Sequence, residues 1–357
     1  MDIKISVLTL CMFTFPIISH AQTSTASTKS FKRFSVSAGW LHAMPQGSAN
    51  PFNNHTAVAE NTKSTVGSVS KNAVLNAAVK DSNPLLYNLI SFYPGQNLPA
   101  AISGTATING LSSWQSPATG LEADSVDTLG LMMNYYINDH WSVELKAGIP
   151  PTVDLKGKGT VYAPLRGSNE PGLSLFSTDI PLGTSIDLNQ DIHVSDLSQG
   201  SKAASVRAWL PALELHYQFG RSGVNKFRPY IGAGVLFGYF DNVKLNPDLN
   251  SDLVLAAHRI QNILDNKAGA GLDGKVSSAS PQVKVKATYT YAPIVTLGAT
   301  YDFTDNWFAV GSVSYAQMNT QAKITVIDNN TGNSLIRSNT EVDIDPIISY
   351  VGIGYRF

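Results

Sequence analysis

Residues 141–149 read WSVELKAGI, in which Trp141, Val143, Leu145, Ala147 and Ile149 alternate with Ser142, Glu144, Lys146 and Gly148. An apolar residue at every second position marks a strand with one face in an apolar medium and the other in a polar one. Seven more segments carry this period. Residues 34–42 set Phe34, Val36, Ala38 and Trp40 on one face, and TLGLMMNYYIN from Thr128 groups Leu129, Leu131, Met133, Tyr135 and Ile137. LPALELHYQF from Leu210 sets Leu213, Leu215, Tyr217 and Phe219 against Glu214, His216 and Gln218. YIGAGVLFGYF from Tyr230 opposes Ile231, Ala233, Val235, Phe237 and Tyr239 to small glycines, and residues 294–303 offer Val295, Leu297, Ala299, Tyr301 and Phe303. The segment from Trp307 is less regular, because Phe308 and Val310 occupy the face that should be polar. The last, residues 347–357, ends in VGIGYRF, with Val351, Ile353, Tyr355 and Phe357 on one face.

The connections alternate in length. Asn138-Asp139-His140, GRSGVNK from Gly220, and Thr304-Asp305-Asn306 are short and rich in turn formers. The others are long, at about residues 43–127, 150–208, 241–290 and 318–340. Short and long connections in alternation are what two unlike rims of an up-and-down barrel produce. Phe34, Trp141, Phe219, Phe227, Phe303, Trp307 and Phe357 all fall beside short turns or termini, where they would ring one membrane interface. The expected fold is therefore all-β: an eight-stranded antiparallel up-and-down transmembrane β-barrel with long extracellular loops. A soluble β-sandwich would also alternate, but it accounts for neither the loop pattern nor the aromatic ring. Within the loops, SDLVLAAHRIQNIL from Ser251 and a stretch near residues 71–80 have helical spacing, and PLLYNLI from Pro84 is an apolar cap segment.

Composition adds a compartment. Lys4, an apolar run over residues 5–18 and Ser19-His20-Ala21 have the form of a secretory signal covering residues 1–21. Residues 22–33 would form a short periplasmic segment and residues 34–357 the barrel. The chain's single cysteine, Cys11, lies in that signal, so disulfides are excluded from the mature protein. A net charge of −1 with 14% charged residues argues against nucleic acid. Beyond the signal, no run of about 18 apolar residues occurs.

With these strands in place the chain resembles the OmpW family of small outer-membrane barrels. The matching motifs are TLGLMMNYYINDHWSVEL, LPALELHYQF, FRPYIGAGV, NWFAVGSVSYAQMNTQA, and VDIDP followed by GIGYRF. The resemblance implies a bacterial outer-membrane location and a final strand, Val351, Ile353, Tyr355 and Phe357, read by the barrel-assembly machinery. It also implies passage of small hydrophobic compounds. Family members place apolar residues midway down the lumen where this chain has Lys146 and Ser314, which predicts a more polar or narrower pocket.

Eight strands enclose an interior just filled by side chains, or wide enough for one small ligand. With the apolar faces outward, the lumen receives Ser142, Glu144, Lys146, Glu214, His216, Thr296, Asp302 and Arg356. Buried charges need partners, so Glu144, His216, Asp302 and Arg356 are expected to pair as a periplasmic-side plug. A plug forbids a simple channel, and a solute would have to leave sideways through a gap in the wall. Pro150, Pro151, Pro211 and Pro346, which lack the amide donor, are the candidate lateral gate. Inward-facing positions nearest the long loops make Leu41, Lys146, Gly148, Trp209, Leu236 and Ser314 the candidate ligand pocket.

Passive uptake of small hydrophobic or amphipathic molecules, with outer-membrane lipids and such solutes as partners, is the expected function. No cofactor, metal or catalytic residue is assigned. Six histidines beyond the signal, His42, His55, His140, His193, His216 and His258, are scattered, and no local motif gathers Ser, His and Asp. Asp343 and Asp345 of DIDP are read as solvated charges rather than a cation site. The alternative is a structural or interaction barrel whose long surface loops bind a partner.

Overall fold

The computed structural model describes residues 31–175, 178–181 and 183–357. The expected signal, residues 1–21, and the segment 22–30 lie outside the described residues. Eight strands carry the membrane-spanning alternation: β1 (Phe34–Met44), β2 (Val126–Tyr136), β3 (Trp141–Gly148), β4 (Ala212–Gln218), β5 (Phe227–Leu245), β6 (Thr290–Asp302), β7 (Trp307–Ala316) and β8 (Ile347–Arg356). Each pairs antiparallel with its neighbour, and β8 pairs with β1 from Ser35↔Arg356 to Met44↔Ile347, which closes the ring.

The short turns close for the reasons their residues suggest. Asn138 Oδ1 accepts the amides of His140 and Trp141, both at 2.9 Å, and Thr304 Oγ1 accepts those of Asn306 and Trp307. These Asx- and ST-type bonds reverse the chain in the fewest residues. Outward positions on all eight strands are apolar and exposed, including Val36, Leu131, Leu145, Leu215, Ile231, Leu297, Val313 and Ile353. Aromatics bound this band at both ends, with Phe34, Trp141, Phe227 and Trp307 near the short turns and Trp40, Tyr239, Tyr291 and Tyr315 near the loops. An apolar wall between two aromatic girdles is a membrane surface.

Glycines set how the lumen fills. Gly148, Gly130, Gly39 and Gly352 sit side by side across β3, β2, β1 and β8. Their missing Cβ atoms leave room for Tyr350, whose hydroxyl bonds Ser37 Oγ at 3.0 Å. A Cβ on Gly352 would stand 2.4 Å from that hydroxyl, and one on Gly354 would stand 2.2 Å from the Phe308 ring. Phe308 and Val310, which broke the expected alternation of β7, are buried in the lumen with Met132, Tyr230 and Tyr350.

The long loops are not loops in the ordinary sense. They fold into a β-rich cap, which the sequence did not predict. Strands Phe52–Thr56, Ser113–Ser116, Pro281–Ala287, Asn319–Asp328 and Ser334–Asp343 form one sheet, and Thr62–Thr65, Thr105–Asn109, Thr160–Glu170 and Ile186–Asp196 form another. The upper part of β5 continues past the expected strand end near Asp241 and pairs with Ala204–Trp209, which in turn pairs with Thr152–Lys158. Helices Pro84–Phe92 and Pro247–Leu264 both begin at an Asn-Pro pair. Asn83 Oδ1 caps Leu86 N at 3.0 Å and Asn246 Oδ1 caps Asp248 N at 2.8 Å, with proline at the first helical position. Helix Lys71–Ala77 lies where helical spacing was expected.

Gly352→Val should crowd Tyr350 out of its slot and destabilise the barrel by about 1–3 kcal/mol. The check is a lower temperature for conversion of the folded to the unfolded band on a gel, against Gly311→Ala, where an added Cβ would stand 3.9 Å from its nearest neighbour, the Tyr350 carbonyl oxygen.

Candidate functional site

Inward side chains stack in layers along the barrel axis. At the short-turn end Arg356 Nη1 pairs with Asp302 Oδ1 at 2.6 Å, and its guanidinium lies 4.5 Å from the centre of the Phe308 ring. Arg228, also buried, donates to the backbone carbonyls of Asp139, Phe219 and Gly220, which ties it to the turns. Above them Gln218 Nε2 donates to Thr300 Oγ1 at 2.8 Å.

The next layer is ionic. Lys146 Nζ stands 2.7 Å from Glu214 Oε1 and 3.7 Å from Glu144 Oε1, and donates to Thr296 Oγ1 at 2.8 Å and Ser314 Oγ at 3.0 Å. His216 Nε2 lies 3.1 Å from Glu214 Oε2 and 3.8 Å from Glu144, with its ring stacked on Tyr230 at 4.8 Å. Asn134 Nδ2 donates to Glu144 Oε2 at 2.7 Å. Glu144 and Glu214 are 2% and 1% exposed, so this ammonium between two carboxylates has no bulk water to stabilise it. Above it Ala212, Leu236, Ala292, Ile294 and Ile348, with Leu41 against them, form an apolar layer that seals the lumen from the cap.

A cavity of about 390 Å³ opens above that layer, inside the cap. Val161, Leu165, Leu197, Leu249, Ile260 and Ile324 are among its aliphatic walls, with His193, Asp252 and Arg259 at its margins. Burial holds the Arg259 guanidinium below its ordinary pKa, and its Nη1 is occupied by the carbonyls of Gly271 and Leu272. Asp252 Oδ2 accepts from Ser195 Oγ at 2.7 Å. A volume of this size suits one small ligand.

The candidate residues from the sequence divide among these features. Glu144 and His216 stand together, and Asp302 and Arg356 stand together, as two separate clusters with Lys146 and Glu214 completing the upper one. Lys146 and Ser314, expected in the pocket, instead bond each other in the ionic layer. Leu41 and Leu236 lie in the apolar seal, and Gly148 in the glycine row. None of the six expected pocket residues lines the cavity. Trp209 requires a correction: it faces outward and is 42% exposed. It shares the odd-numbered outward face of Leu213 and Leu215, so the alternation of β4 itself, carried back past Pro211, assigns it to the outside. Asp343 accepts from Asn50 Nδ2 and Asp345 from the Met318 amide, so both DIDP carboxylates have structural partners. Val351, Ile353 and Phe357 face the membrane.

Three of the four prolines flank one seam. The β3–β4 ladder ends at Lys146↔Ala212, and pairing between the two chain segments resumes at Thr152↔Arg207. Between these points Ile149 N turns back to Leu129 O, Ala208 N donates to Pro151 O at 3.0 Å, and Phe237 N donates to Pro211 O at 2.8 Å. Among the described residues no backbone pair crosses between 147–150 and 209–211. Pro346, before β8, lies on the other side of the ring and lines the cavity. Leu210 and Ala208 belong both to the seam and to the cavity wall.

Residues 269–357, which carry β6 to β8 and the cap hairpin between β7 and β8, match the OmpW family. Over that stretch the chain is similar to the OmpW family of outer-membrane barrels. Among solved structures, OprG of Pseudomonas aeruginosa superposes with a TM-score of 0.51 at 16% identity, covering 91% of this chain and 96% of that one, a likeness of fold. AlkL overlays with a TM-score of 0.39 at 13% identity, covering 95% of this chain and 97% of that one. Outer membrane protein W of E. coli gives 0.31 at 17%, with coverages of 91% and 98%. No curated protein matches the chain.

In this barrel Lys146 neutralises two buried carboxylates. Lys146→Met should destabilise it by about 3–5 kcal/mol, because Glu144 and Glu214 are left facing each other. Adding Glu214→Gln should recover much of the loss, which urea titration of the two variants in micelles would measure.

Proposed function

We propose that the protein carries small hydrophobic or amphipathic molecules passively into the outer membrane. A solute rests in the cap cavity, passes Leu210 and leaves through the β3–β4 seam into the bilayer. The observation that carries this reading is a large aliphatic cavity lying above a sealed, ion-paired lumen and beside the stretch, 147–150 and 209–211, that no backbone pair crosses among the described residues. The lumen offers no aqueous route, because its charges are paired and its apolar seal excludes water. An apolar solute loses nothing at that seal but gains nothing by crossing the ionic layer, where it would strip charges of their partners. The seam, by contrast, opens at the height of Trp40 and Leu129, beside the outer leaflet. Four of the six pocket positions read from the sequence keep supporting roles in this scheme: Lys146 and Ser314 close the floor, while Leu41 and Leu236 shape it. The prolines Pro150, Pro151 and Pro211 act as the gate by withholding amide donors from the seam. No step requires a cofactor or a chemical change in the solute.

One observation favours a second reading. Helix Pro84–Phe92 presents Leu85, Leu89 and Phe92 to solvent, all strongly exposed. Such a face suits the interaction barrel considered from the sequence, in which the cap binds a partner.

Uptake into cells lacking or expressing the protein separates the two, using an apolar panel of solutes and a polar panel of equal size. The expected result is faster entry of the apolar panel alone. Leu210→Trp, at the junction of cavity and seam, should return that rate to the level of cells lacking the protein. Replacing Leu85, Leu89 and Phe92 with serine should leave it unchanged. Equal acceleration of both panels would mean an aqueous pore and would sink the lateral route.

A further inference from the structure

The outer face of the five-stranded cap sheet carries a charge pattern that the solute route does not use. On it stand Lys284 and Lys286 of the edge strand Pro281–Ala287, Lys323 of Asn319–Asp328 and Arg337 of Ser334–Asp343, all four exposed. The register lines them up. Lys286 is the direct cross-strand partner of Lys323; Lys284 opposes Thr325, which opposes Arg337, and His55 follows in the same row. Like charges directly opposed across an antiparallel pair destabilise it. The ion pairs of the described residues lie elsewhere, on Lys146, Lys156, Lys158, Arg166, Lys202, Arg207, Lys275 and Arg356. Two carboxylates share the face: Glu341, opposite Gln321, and Asp343, which Asn50 engages. On a chain of net charge −1, four cations against these two make a local surplus of positive charge.

Position says what the surplus meets. Strands Pro281–Ala287 and Asn319–Asp328 prolong β6 and β7 upward, joined at the kink by Thr288 N to Gln321 O at 3.0 Å and Gln317 N to Pro293 O at 3.2 Å. Just below the kink Tyr289, Tyr291 and Phe237 form an outward aromatic cluster, with Tyr291 and Phe237 ring centres 5.0 Å apart. Aromatic clusters of this kind sit at the level of lipid headgroups. Lys286 precedes Tyr289 by three positions, so it stands only about 10 Å farther along the strand. A lysine stem covers much of that distance by bending back toward the interface.

We infer that this face binds the phosphate groups of phosphorylated glycolipid in the surrounding outer leaflet. A phosphate between Lys286 and Lys323 removes their mutual repulsion, and the Arg337 guanidinium can take a second phosphate through two parallel N–H bonds. The inference rests on the outer-membrane location alone, so it stands or falls separately from the solute route.

The test uses the full chain in neutral micelles and the temperature at which its folded gel band converts, measured against added lipid. The probes are bisphosphorylated lipid A, the same lipid after phosphatase treatment, and phosphatidylglycerol. Bisphosphorylated lipid A should stabilise the protein, and the other two should not. Replacing Lys284, Lys286, Lys323 and Arg337 with glutamine should raise its half-saturating concentration on the order of tenfold or more. Lys63→Gln with Lys267→Gln, exposed cations off this face, should leave it unaltered. The pair Lys286→Gln and Lys323→Gln adds a signature of opposite signs: higher stability without lipid, weaker response with it. An unchanged half-saturating concentration in the fourfold variant would overturn the inference, and so would equal stabilisation by phosphatidylglycerol. Should the fourfold variant not fold, the pair variant decides by the same criterion.

Discussion

Within hydrocarbon no water is present to accept or donate a hydrogen bond, so every amide and carbonyl of the spanning wall must find a partner in the wall itself. The rest of the molecule depends on this constraint. It requires β8 to pair with β1 along its whole length, and with only eight strands it fixes a lumen that side chains fill. Once the lumen is full, its occupants must be compatible with burial. That selects Tyr350 and Phe308 lying flat on glycines, and charges arranged so that each meets its opposite. The same constraint explains the location of the cavity. Because side chains fill this ring, the space large enough for a ligand lies where the strands leave the membrane and the cap takes over.

The ionic layer is costly to desolvate and earns no rigidity that an apolar filling could not supply. In the proposed route it would provide exclusion. A layer holding Glu144, Lys146, Glu214 and His216 in mutual contact offers an apolar solute no gain for separating those groups, and the apolar layer of Leu236, Ile294 and Ile348 offers none to a polar one. The proposal thus rests on two thin layers of opposite character, while the walls above are aliphatic.

The spanning strands were legible because period-two alternation is imposed on each by lipid on one side and packed polar groups on the other. Turn chemistry at Asn138 and Thr304 was legible for the same local reason, whereas the Asn-Pro starts of the helices at Pro84 and Pro247 were passed over. The pairing of Lys146 with Glu214 was less so, since lumen charges can be assigned to a face from sequence but not to one another. The cap was read as loops although strands such as Asn319–Asp328 alternate and are as long as the spanning ones, because their buried positions mix Thr and Ala with Ile and Val and their partners lie far off in the chain. Trp209 was misplaced against the alternation rather than by it, since the odd-numbered outward face of Leu213 and Leu215 continues through Pro211 to Trp209. Phe308 and Val310 looked like faults in β7, yet they are lumen packing, which follows no polar rule. The cavity itself has no local signature: its walls come from segments spread from Ala43 to Pro346.

β5 runs without interruption for 19 residues, from the short-turn rim into the cap. It is at once a stave of the barrel and a post of the roof, and β6 and β7 lean on it through the hairpins that continue them. Beside it, β3 and β4 part between 147–150 and 209–211, yet β4 below that gap and Ala204–Trp209 above it both pair with β5. One strand thus holds the chain on both sides of the gap.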